Sequence, residues 1–282
     1  MSLSTSMKAW IQGHVPASIA NISSVSGGCI NDAYQIELTN GKNFFLKCHS
    51  GVSMFGAEAR GLAAINDRVV GFAPEVIAFE EHGLLLEYRS PTAPDNNYWQ
   101  ELGEKLALLH ETPEPSFGFS EDNYCGETRQ VNTPKESGIE FFREHRLGYQ
   151  ADIALNNGLL DQALHRSILE LADRLERWIP ELPAVLIHGD LWSGNAMNTT
   201  QGATVIDPAC YFGWAEADLA MTTLFGGFHG AFYEAYAANA KQYEPSWRER
   251  APIYNLYHLL NHLNLFGGHY LSSIKQVVAK FG

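Results

Sequence analysis

The stretch that decides the fold is His188-Gly189-Asp190-Leu191-Trp192-Ser193-Gly194-Asn195. It directly follows the apolar run 184–187, which predicts a short buried strand. Twelve residues beyond Asn195, Asp207 follows a second strand-like run at 204–206. We therefore expect two carboxylates and one amide to lie at the ends of two short strands.

The spacing of these polar residues is that of the protein-kinase catalytic loop. There, an Asp is followed five residues later by an Asn, and a second Asp comes after the next strand. Transfer of a phosphoryl group from ATP builds charge on oxygens that are already negative, and Mg²⁺ held by carboxylate and amide oxygens neutralises it. We predict Asp190 as the catalytic base, and Asn195 and Asp207 as magnesium ligands.

A lysine and a glutamate upstream fit the same chemistry. Lys47 ends the strand-like run 44–47, and Glu58 lies eleven residues later in a predicted helix, 55–69. Kinases use such a pair to hold the lysine on the α- and β-phosphates of ATP. We predict this role for Lys47 and Glu58.

Two further segments complete a predicted nucleotide site. Gly27 and Gly28 lie between two strand-like runs, where glycine would let backbone N–H groups approach phosphates. Glu87 and Tyr88 end the last strand of this region, where a hinge strand would bind adenine through its backbone. The glycine pair alone is a weak signal, because it is not a G-x-G-x-x-G motif.

The remaining pattern predicts an α+β, two-lobed protein-kinase-like fold. Residues 1–88 read as a small nucleotide-binding lobe: a helix, three strands, a helix and two strands, with Asn40-Gly41 as a hairpin turn. Residues 89–95 contain two prolines and predict a linker. Residues 96–282 predict a mostly helical lobe with helices at 99–110, 139–155, 161–178, 218–225, 231–240 and 253–266. Residues 112–137 show no period.

Composition narrows the class of protein. The 282 residues are 45% hydrophobic and 18% charged, which is typical of a globular chain and not of a disordered one. The net charge of −13 disfavours general binding to nucleic acid.

No apolar run is long enough to span a bilayer, and the first residues lack the apolar core of a secretory signal. Four scattered cysteines without CxxC spacing disfavour a disulfide framework. We expect a soluble, cytoplasmic protein without a membrane partner, whose oligomeric state the sequence leaves open.

The motif at 188–195 resembles that of the fructosamine kinase (ketosamine 3-kinase) family, a branch of the kinase-like fold near the aminoglycoside phosphotransferases and choline kinases. Those relatives share an H-G-D…N core, but Trp192 within the motif favours the fructosamine branch. Segments 27–31, 118–132, 141–150, 216–228 and 256–270 also resemble the family. The resemblance therefore runs nearly end to end.

This resemblance implies a reaction. The family uses ATP and Mg²⁺ to phosphorylate the 3-hydroxyl of a sugar joined to an amine as a ketosamine, and the unstable product releases the amine, which amounts to protein deglycation. Asp218 matches an acidic position that either braces the catalytic loop or touches substrate. Two departures concern the substrate pocket: Trp214-Ala215 precede Glu216 where a basic residue is expected, and Arg129 stands where proline is expected.

Several alternatives stay open at this point. Trp192 suits core packing and the wall of a sugar pocket equally well. His258 and His262 have the spacing of metal ligands, but their apolar surroundings favour packed or hydrogen-bonded histidines. Cys29, beside the glycine pair, is a candidate redox-sensitive thiol whose oxidation would slow the kinase. Rival functions are an aminoglycoside or amino-alcohol kinase and a non-catalytic pseudokinase. The preferred sugar, and whether the amine is free or protein-bound, are undetermined.

Overall fold

The structure is a computed structural model that describes residues 3–25, 32–49 and 54–282. The strands are β1 (Ile19–Val25), β2 (Asp32–Leu38), β3 (Asn43–Cys48), β4 (Val76–Glu80), β5 (Gly83–Glu87), β6 (Pro113–Glu114), β7 (Asn123–Cys125), β8 (Thr128–Gln130), β9 (Ala184–Ile187), β10 (Ala196–Thr199), β11 (Gly202–Val205) and β12 (Tyr211–Gly213). The α-helices are α1 (Thr5–His14), α2 (Phe55–Arg68), α3 (Asn96–Leu109), α4 (Gly138–Phe141), α5 (Tyr149–Asn156), α6 (Gln162–Ala172), α7 (Ala215–Leu224), α8 (Gly230–Asn239), α9 (Trp247–Phe266) and α10 (Leu271–Phe281).

An antiparallel sheet dominates the N-terminal part of the described chain, with its five strands in the order β1-β2-β3-β5-β4. The hairpin between β2 and β3 turns at Asn40-Gly41 as predicted, and Gly41 takes a φ of 81° that favours glycine. Successive side chains of a strand point to opposite faces. In β3, Leu46 therefore packs against Met7 and Ile11 of α1, while its neighbour Lys47 faces α2. This alternation places Lys47 on the side that faces the rest of the molecule.

The C-terminal part is mostly helical, and a small sheet lies within it. The order β12-β9-β6 makes β9 the central strand, and all four of its residues are buried. Helix α9 contributes 13 buried residues to the surrounding core, which makes it the central helix of this part. The predicted catalytic loop, residues 188–195, starts where β9 ends and therefore leaves a fully buried strand.

The sequence predictions of individual elements were partly wrong. The helix predicted at 253–266 begins at Trp247 and continues through Pro252, which lies in its second turn. The helix predicted at 139–155 is interrupted by a π-helix, Phe142–Gly148. Helix α10 was missed, although Ile274, Val277 and Phe281 form its buried side. The short strands β6, β7, β8, β10 and β12 were also missed, because runs of two to four residues are too short to show a period.

The helices of the described ranges are too short or too polar to span a lipid bilayer.

Candidate active site

The catalytic loop makes its first turn at Gly189, and this turn requires glycine. Its φ is 82°, a region that side chains disfavour. A Cβ atom at this position would also lie 2.1 Å from the carbonyl oxygen of Ala209. Tight packing of the loop against the chain segment after Asp207 therefore depends on the missing side chain.

Asp218, near the start of α7, is hydrogen-bonded to the backbone of the loop. Its carboxylate accepts hydrogen bonds from the backbone N–H groups of His188 (2.7 Å) and Gly189 (2.9 Å). His110 adds a ring contact of 3.2 Å to the same carboxylate, and the other ring nitrogen of His110 lies 2.9 Å from the hydroxyl of Tyr236. Burial favours the neutral acid, but the hydrogen bond to His110 and the nearby donors outweigh it and hold the pKa of Asp218 below its usual value.

His188 has a structural environment. Its Nε2 lies 3.0 Å from the carbonyl oxygen of Ile206, and its Nδ1 accepts the backbone N–H of Asp190 at 3.3 Å. These two contacts require Nε2 to carry the proton and Nδ1 to carry the lone pair. Burial also lowers the pKa of His188, which keeps the ring neutral. The ring thus ties the loop to the chain that leads to Asp207.

Asp190 and Asn195, two of the predicted site residues, are in contact. The side-chain amide of Asn195 donates to the backbone oxygen of Asp190 (2.9 Å) and to its carboxylate (3.3 Å). Burial, followed by the negative charges of Asp207 and Asp218, raises the pKa of Asp190 to about 7, against the opposing effect of Asn195. A carboxyl group with such a pKa exchanges its proton near neutral pH.

Lys47 joins the two parts of the molecule. Its Nζ lies 2.6 Å from a carboxylate oxygen of Glu58 on α2 and also contacts the carboxylate of Asp207. Burial alone would lower the pKa of Lys47, but the charges of Asp207 and Glu58 outweigh it and raise the pKa. The three residues come from positions as far as 160 residues apart, and they form one ion-paired cluster.

The backbone at Asp207 is strained. Its φ of 55° is the single positive φ of a non-glycine residue in the described ranges. Such conformations cost energy and are typical of functional sites. The side chain of Asp207 is 47% exposed, whereas that of Glu58 is 14% exposed, so the cluster opens to solvent on the side of Asp207.

The predicted adenine contacts, Glu87 and Tyr88, lie within the described residues, whereas the predicted phosphate contacts do not. The backbone N–H of Glu87 donates to the carbonyl oxygen of Glu75 at 2.8 Å, and the Glu87 carboxylate pairs with Arg89 at 2.7 Å. This N–H is therefore already engaged within the protein, and Tyr88 follows it as a partly buried residue. Gly27, Gly28 and the candidate redox thiol Cys29 lie outside the described residues.

Trp192 lies at the surface of the loop with 38% of its area exposed. Its ring stands edge-on to Phe225, with a centroid distance of 6.2 Å. Phe225 is itself 43% exposed, so the two rings form an exposed aromatic surface and are not part of a closed core.

Both departures from the family pattern have partners in the structure. Glu216, which lacks a basic neighbour before it, forms a buried ion pair with Arg250 of α9 and accepts a hydrogen bond from Tyr254 at 2.9 Å. Arg129 pairs with Asp122 at 2.5 Å, and its side chain is 63% exposed.

Sequence reasoning missed two residues of this site and set aside a third. His110 follows α3 without any motif around it. Cys125, whose sulfur lies within 4.8 Å of a carboxylate oxygen of Asp190, lies in the segment that showed no period. His258 is packed in a helix, as expected, and its Nδ1 also lies 3.8 Å from a carboxylate oxygen of Asp190. His258 lies on the side of α9 that faces the loop. The spacing of residues along the chain does not show which side of a helix faces a distant segment, so this proximity could not be predicted.

Comparisons with known proteins agree with this geometry. The family model described as fructosamine kinase matches residues 3–281. A protein of Synechocystis sp. named a probable ketoamine kinase is 39% identical over 93% of this chain and 90% of its own. The chloroplastic protein-ribulosamine 3-kinase of rice (Oryza sativa subsp. japonica) is 36% identical over 96% of this chain and 82% of its own.

Solved structures show the same fold. A crystal structure described as a fructosamine-3-kinase from Thermobifida fusca superposes with a TM-score of 0.89 at 30% identity and covers 98% of both chains. A macrolide 2'-phosphotransferase type I superposes with a TM-score of 0.62 at 13% identity, over 100% of this chain and 99% of that one. At that identity the likeness shows the fold alone, and it confirms the predicted kinase-like class. By its family match over nearly the whole chain, its relatives and its fold, the protein belongs to the fructosamine kinase family.

Proposed function

We propose that this protein is an ATP-dependent kinase that phosphorylates a sugar hydroxyl, the 3-hydroxyl, of a ketosamine. Family membership and the names of the relatives, which include a ribulosamine 3-kinase, support the substrate class. Loss of the amine from the phosphorylated product would make the reaction a deglycation. A cytoplasmic location stays a prediction from composition, and cell fractionation tests it.

The observation that carries the proposal is the cluster around Lys47. A lysine of the N-terminal sheet contacts both the helix glutamate Glu58 and Asp207, which follows β11. In kinases, a lysine, a helix glutamate and an aspartate of these types lie around the triphosphate of ATP. We propose that ATP takes the place of the more exposed Asp207 on the lysine, while the buried Glu58 stays paired with it.

The residues fit magnesium by the chemistry of their donor atoms. Asp207 offers carboxylate oxygens, and Asn195 bonds Asp190 through its amide nitrogen, which leaves its amide oxygen for a metal. Oxygen donors of this kind are those that Mg²⁺ prefers. Bound magnesium would neutralise negative charge on the phosphate oxygens.

Asp190 is assigned the proton transfer. The sugar hydroxyl oxygen forms a bond to the γ-phosphorus, its proton passes to the carboxylate of Asp190, and the bond from that phosphorus to the bridging oxygen breaks as ADP leaves. The raised pKa of about 7 suits this task, because a general base acts best when its pKa lies near the working pH. Asn195 orients the carboxylate through its hydrogen bond.

The other residues are assigned supporting roles. Asp218 braces the loop, since its carboxylate is 1% exposed and engaged with two backbone N–H groups. Trp192 forms a wall of the sugar pocket, since its ring is exposed and it follows Asp190 by two residues in the loop. The segment Glu87–Tyr88 contacts adenine through backbone groups other than the N–H of Glu87, which is bonded to Glu75, and Gly27 and Gly28 contact the phosphates.

A coupled assay of ADP release on a substrate panel tests the proposal. Fructosamine, ribulosamine and erythrulosamine, free and on a protein, are compared with an aminoglycoside and with choline. We expect turnover with at least one ketosamine, dependent on magnesium, and none with the other two compounds. Turnover with the aminoglycoside or choline alone would favour the rival kinases. ATP binding without turnover on any acceptor would favour the pseudokinase.

A further inference from the structure

A second group of metal-ligating side chains lies on the buried side of Asp190. One ligand atom each from Cys125, Asp190 and His258 lies within 4.8 Å of the other two. We propose that these residues form a binding site for a thiophilic divalent cation, Zn²⁺, and that its occupancy inhibits the enzyme reversibly. This site is distinct from the predicted magnesium ligands Asn195 and Asp207, and its existence does not depend on the proposed reaction.

The position of His258 points to a ligand. It lies in the middle of α9, is 5% exposed, and its Nδ1 is buried without a hydrogen-bond partner anywhere in the described ranges. An unpartnered polar atom in a protein interior is costly and uncommon. This nitrogen lies 3.8 Å from a carboxylate oxygen of Asp190, which is too long for a hydrogen bond. A metal ion between the two atoms would satisfy both.

The donor set selects the type of metal. Thiolate, imidazole and carboxylate are ligands of Zn²⁺, whereas Mg²⁺ is held by oxygen atoms. Ligand atoms around a tetrahedral zinc ion are about 3.5 Å apart, given the usual bond lengths. The Nδ1 of His258 and the carboxylate oxygen of Asp190 are 3.8 Å apart, close to this spacing, and all three ligand atoms lie within 4.8 Å of one another.

Access to the cluster is from the side of Asp190. Cys125, the last residue of β7, is 2% exposed, while the side chain of Asp190 is 20% exposed. A cation that enters the cleft therefore meets the catalytic carboxylate first. Cys125 and His258 lie behind it and complete the site from β7 and α9.

The binding step is a simple ligand exchange without oxidation. The thiol of Cys125 gives up its proton to solvent and forms a bond to zinc, while the imidazole and the carboxylate donate lone pairs. Burial raises the pKa of the Cys125 thiol well above its usual value, so this group carries its proton until a metal displaces it. Once bound to zinc, the carboxylate of Asp190 no longer accepts the proton of the sugar hydroxyl.

Cobalt(II) is the spectroscopic probe for the site, because a bond from thiolate to cobalt gives a near-ultraviolet charge-transfer band. The full-length protein is titrated with Co²⁺ in excess Mg²⁺, and Zn²⁺ is then added to displace the cobalt. We expect one equivalent of cobalt to bind with the thiolate band. Cys125→Ser should lose the band and weaken binding by about 100-fold, since loss of even an outer-shell partner costs about 10- to 100-fold.

Cys210→Ser is the matched control, because Cys210 is equally buried but its sulfur lies 3.6 Å from the carbonyl oxygen of Gly61, away from the cluster. It should keep the band. A wild-type protein without the band, or a Cys125→Ser protein that retains it, would overturn the proposal. If Cys125→Ser does not fold, X-ray absorption of the wild-type zinc complex decides: a shell with one sulfur supports the site, and a shell without sulfur refutes it.

Inhibition is measured separately from binding. At saturating MgATP, Zn²⁺ should inhibit the wild type and Cys210→Ser, and a zinc-selective chelator should restore each rate. Cys125→Ser should need about 100-fold more zinc for half-inhibition relative to its own uninhibited rate. Equal zinc sensitivity of the two variants would refute the inhibitory role. If no ketosamine is turned over, the proposed function fails, while the cobalt titration still decides the metal site.

Discussion

The catalytic loop and the lysine cluster are both parts of one site, but different interactions hold them. The loop is fixed by hydrogen bonds from its backbone to Asp218 and by the ring of His188. The lysine cluster is fixed by hydrogen-bonded ion pairs between side chains, with Lys47 between Glu58 and Asp207. A ligand can replace a carboxylate on a lysine, but it does not replace a backbone hydrogen bond to a buried side chain. The loop is therefore built before substrate arrives, whereas the lysine cluster is arranged to exchange a partner.

The largest expected effect is on kcat, and it tests whether Asp190 in the loop acts as the base. Asp190→Asn keeps the size of the side chain and removes the base, so kcat should fall by about 10²- to 10⁴-fold. Because the lysine cluster is untouched, nucleotide affinity measured by calorimetry should stay near that of the wild type. Asp173→Asn, an exposed aspartate elsewhere, is the control and should be neutral. A kcat of Asp190→Asn that stays near the wild-type value would contradict the assignment.

The lysine cluster is tested by removing its cation. Lys47→Met leaves Glu58 buried without a partner, which should lower the free energy of unfolding by about 4 kcal/mol and abolish turnover. Adding Glu58→Gln removes the uncompensated charge and should restore part of the stability but none of the activity. Urea unfolding and the ADP assay measure the two effects. A double variant as unstable as the single one would show that charge pairing does not hold this cluster.

The packing of the loop is tested at its first turn. Gly189→Ala should cost about 3 kcal/mol, because the new Cβ meets both a disfavoured φ and the oxygen of Ala209. Gly158→Ala is the matched control: its φ is 71°, but nothing lies within 4 Å of the added atom, so about 1 kcal/mol is expected. The difference between the two unfolding free energies isolates the contact with Ala209. Equal losses would mean that the loop is less tightly packed than described.

The smallest effect on stability is expected at the exposed side chain of the loop. Trp192→Leu should change the unfolding free energy by less than about 1 kcal/mol, since the ring is 38% exposed. It should raise the KM for the ketosamine and leave the KM for ATP unchanged. Trp178→Leu is the control, because Trp178 is 42% exposed and also edge-on to a phenylalanine, but that partner is Phe281 at the end of α10 and not a residue beside the loop. If both variants have the same KM values as the wild type, Trp192 does not contact the sugar.

The two regions also differ in how far the sequence predicted them. The loop motif, the strand before it and the identity of Lys47 and Glu58 were readable, because strand alternation and fixed spacing are local properties. The direct contact of Lys47 with Asp207 was not predicted, since it joins residues 160 positions apart in the chain. The bonds of His110 to Asp218 and the approach of His258 to Asp190 were unpredictable, since neither histidine lies in a local pattern. The same applies to secondary structure: α10 was not predicted, and neither was the π-helix at 142–148.

The sequence by itself determined the reaction class and the fold family. A lysine, a glutamate, the H-G-D…N motif and a further Asp follow one another along the chain in the order that is typical of kinases, and this order is visible without a structure. Tertiary structure alone decided which groups surround the catalytic carboxylate. Asp190 gains its raised pKa, its neighbour Cys125 and the unpartnered nitrogen of His258 because β7, β9, α7 and α9 pack around one point. The burial and distances that fix this electrostatic environment arise between segments that are far apart in the chain, so no local pattern encodes them.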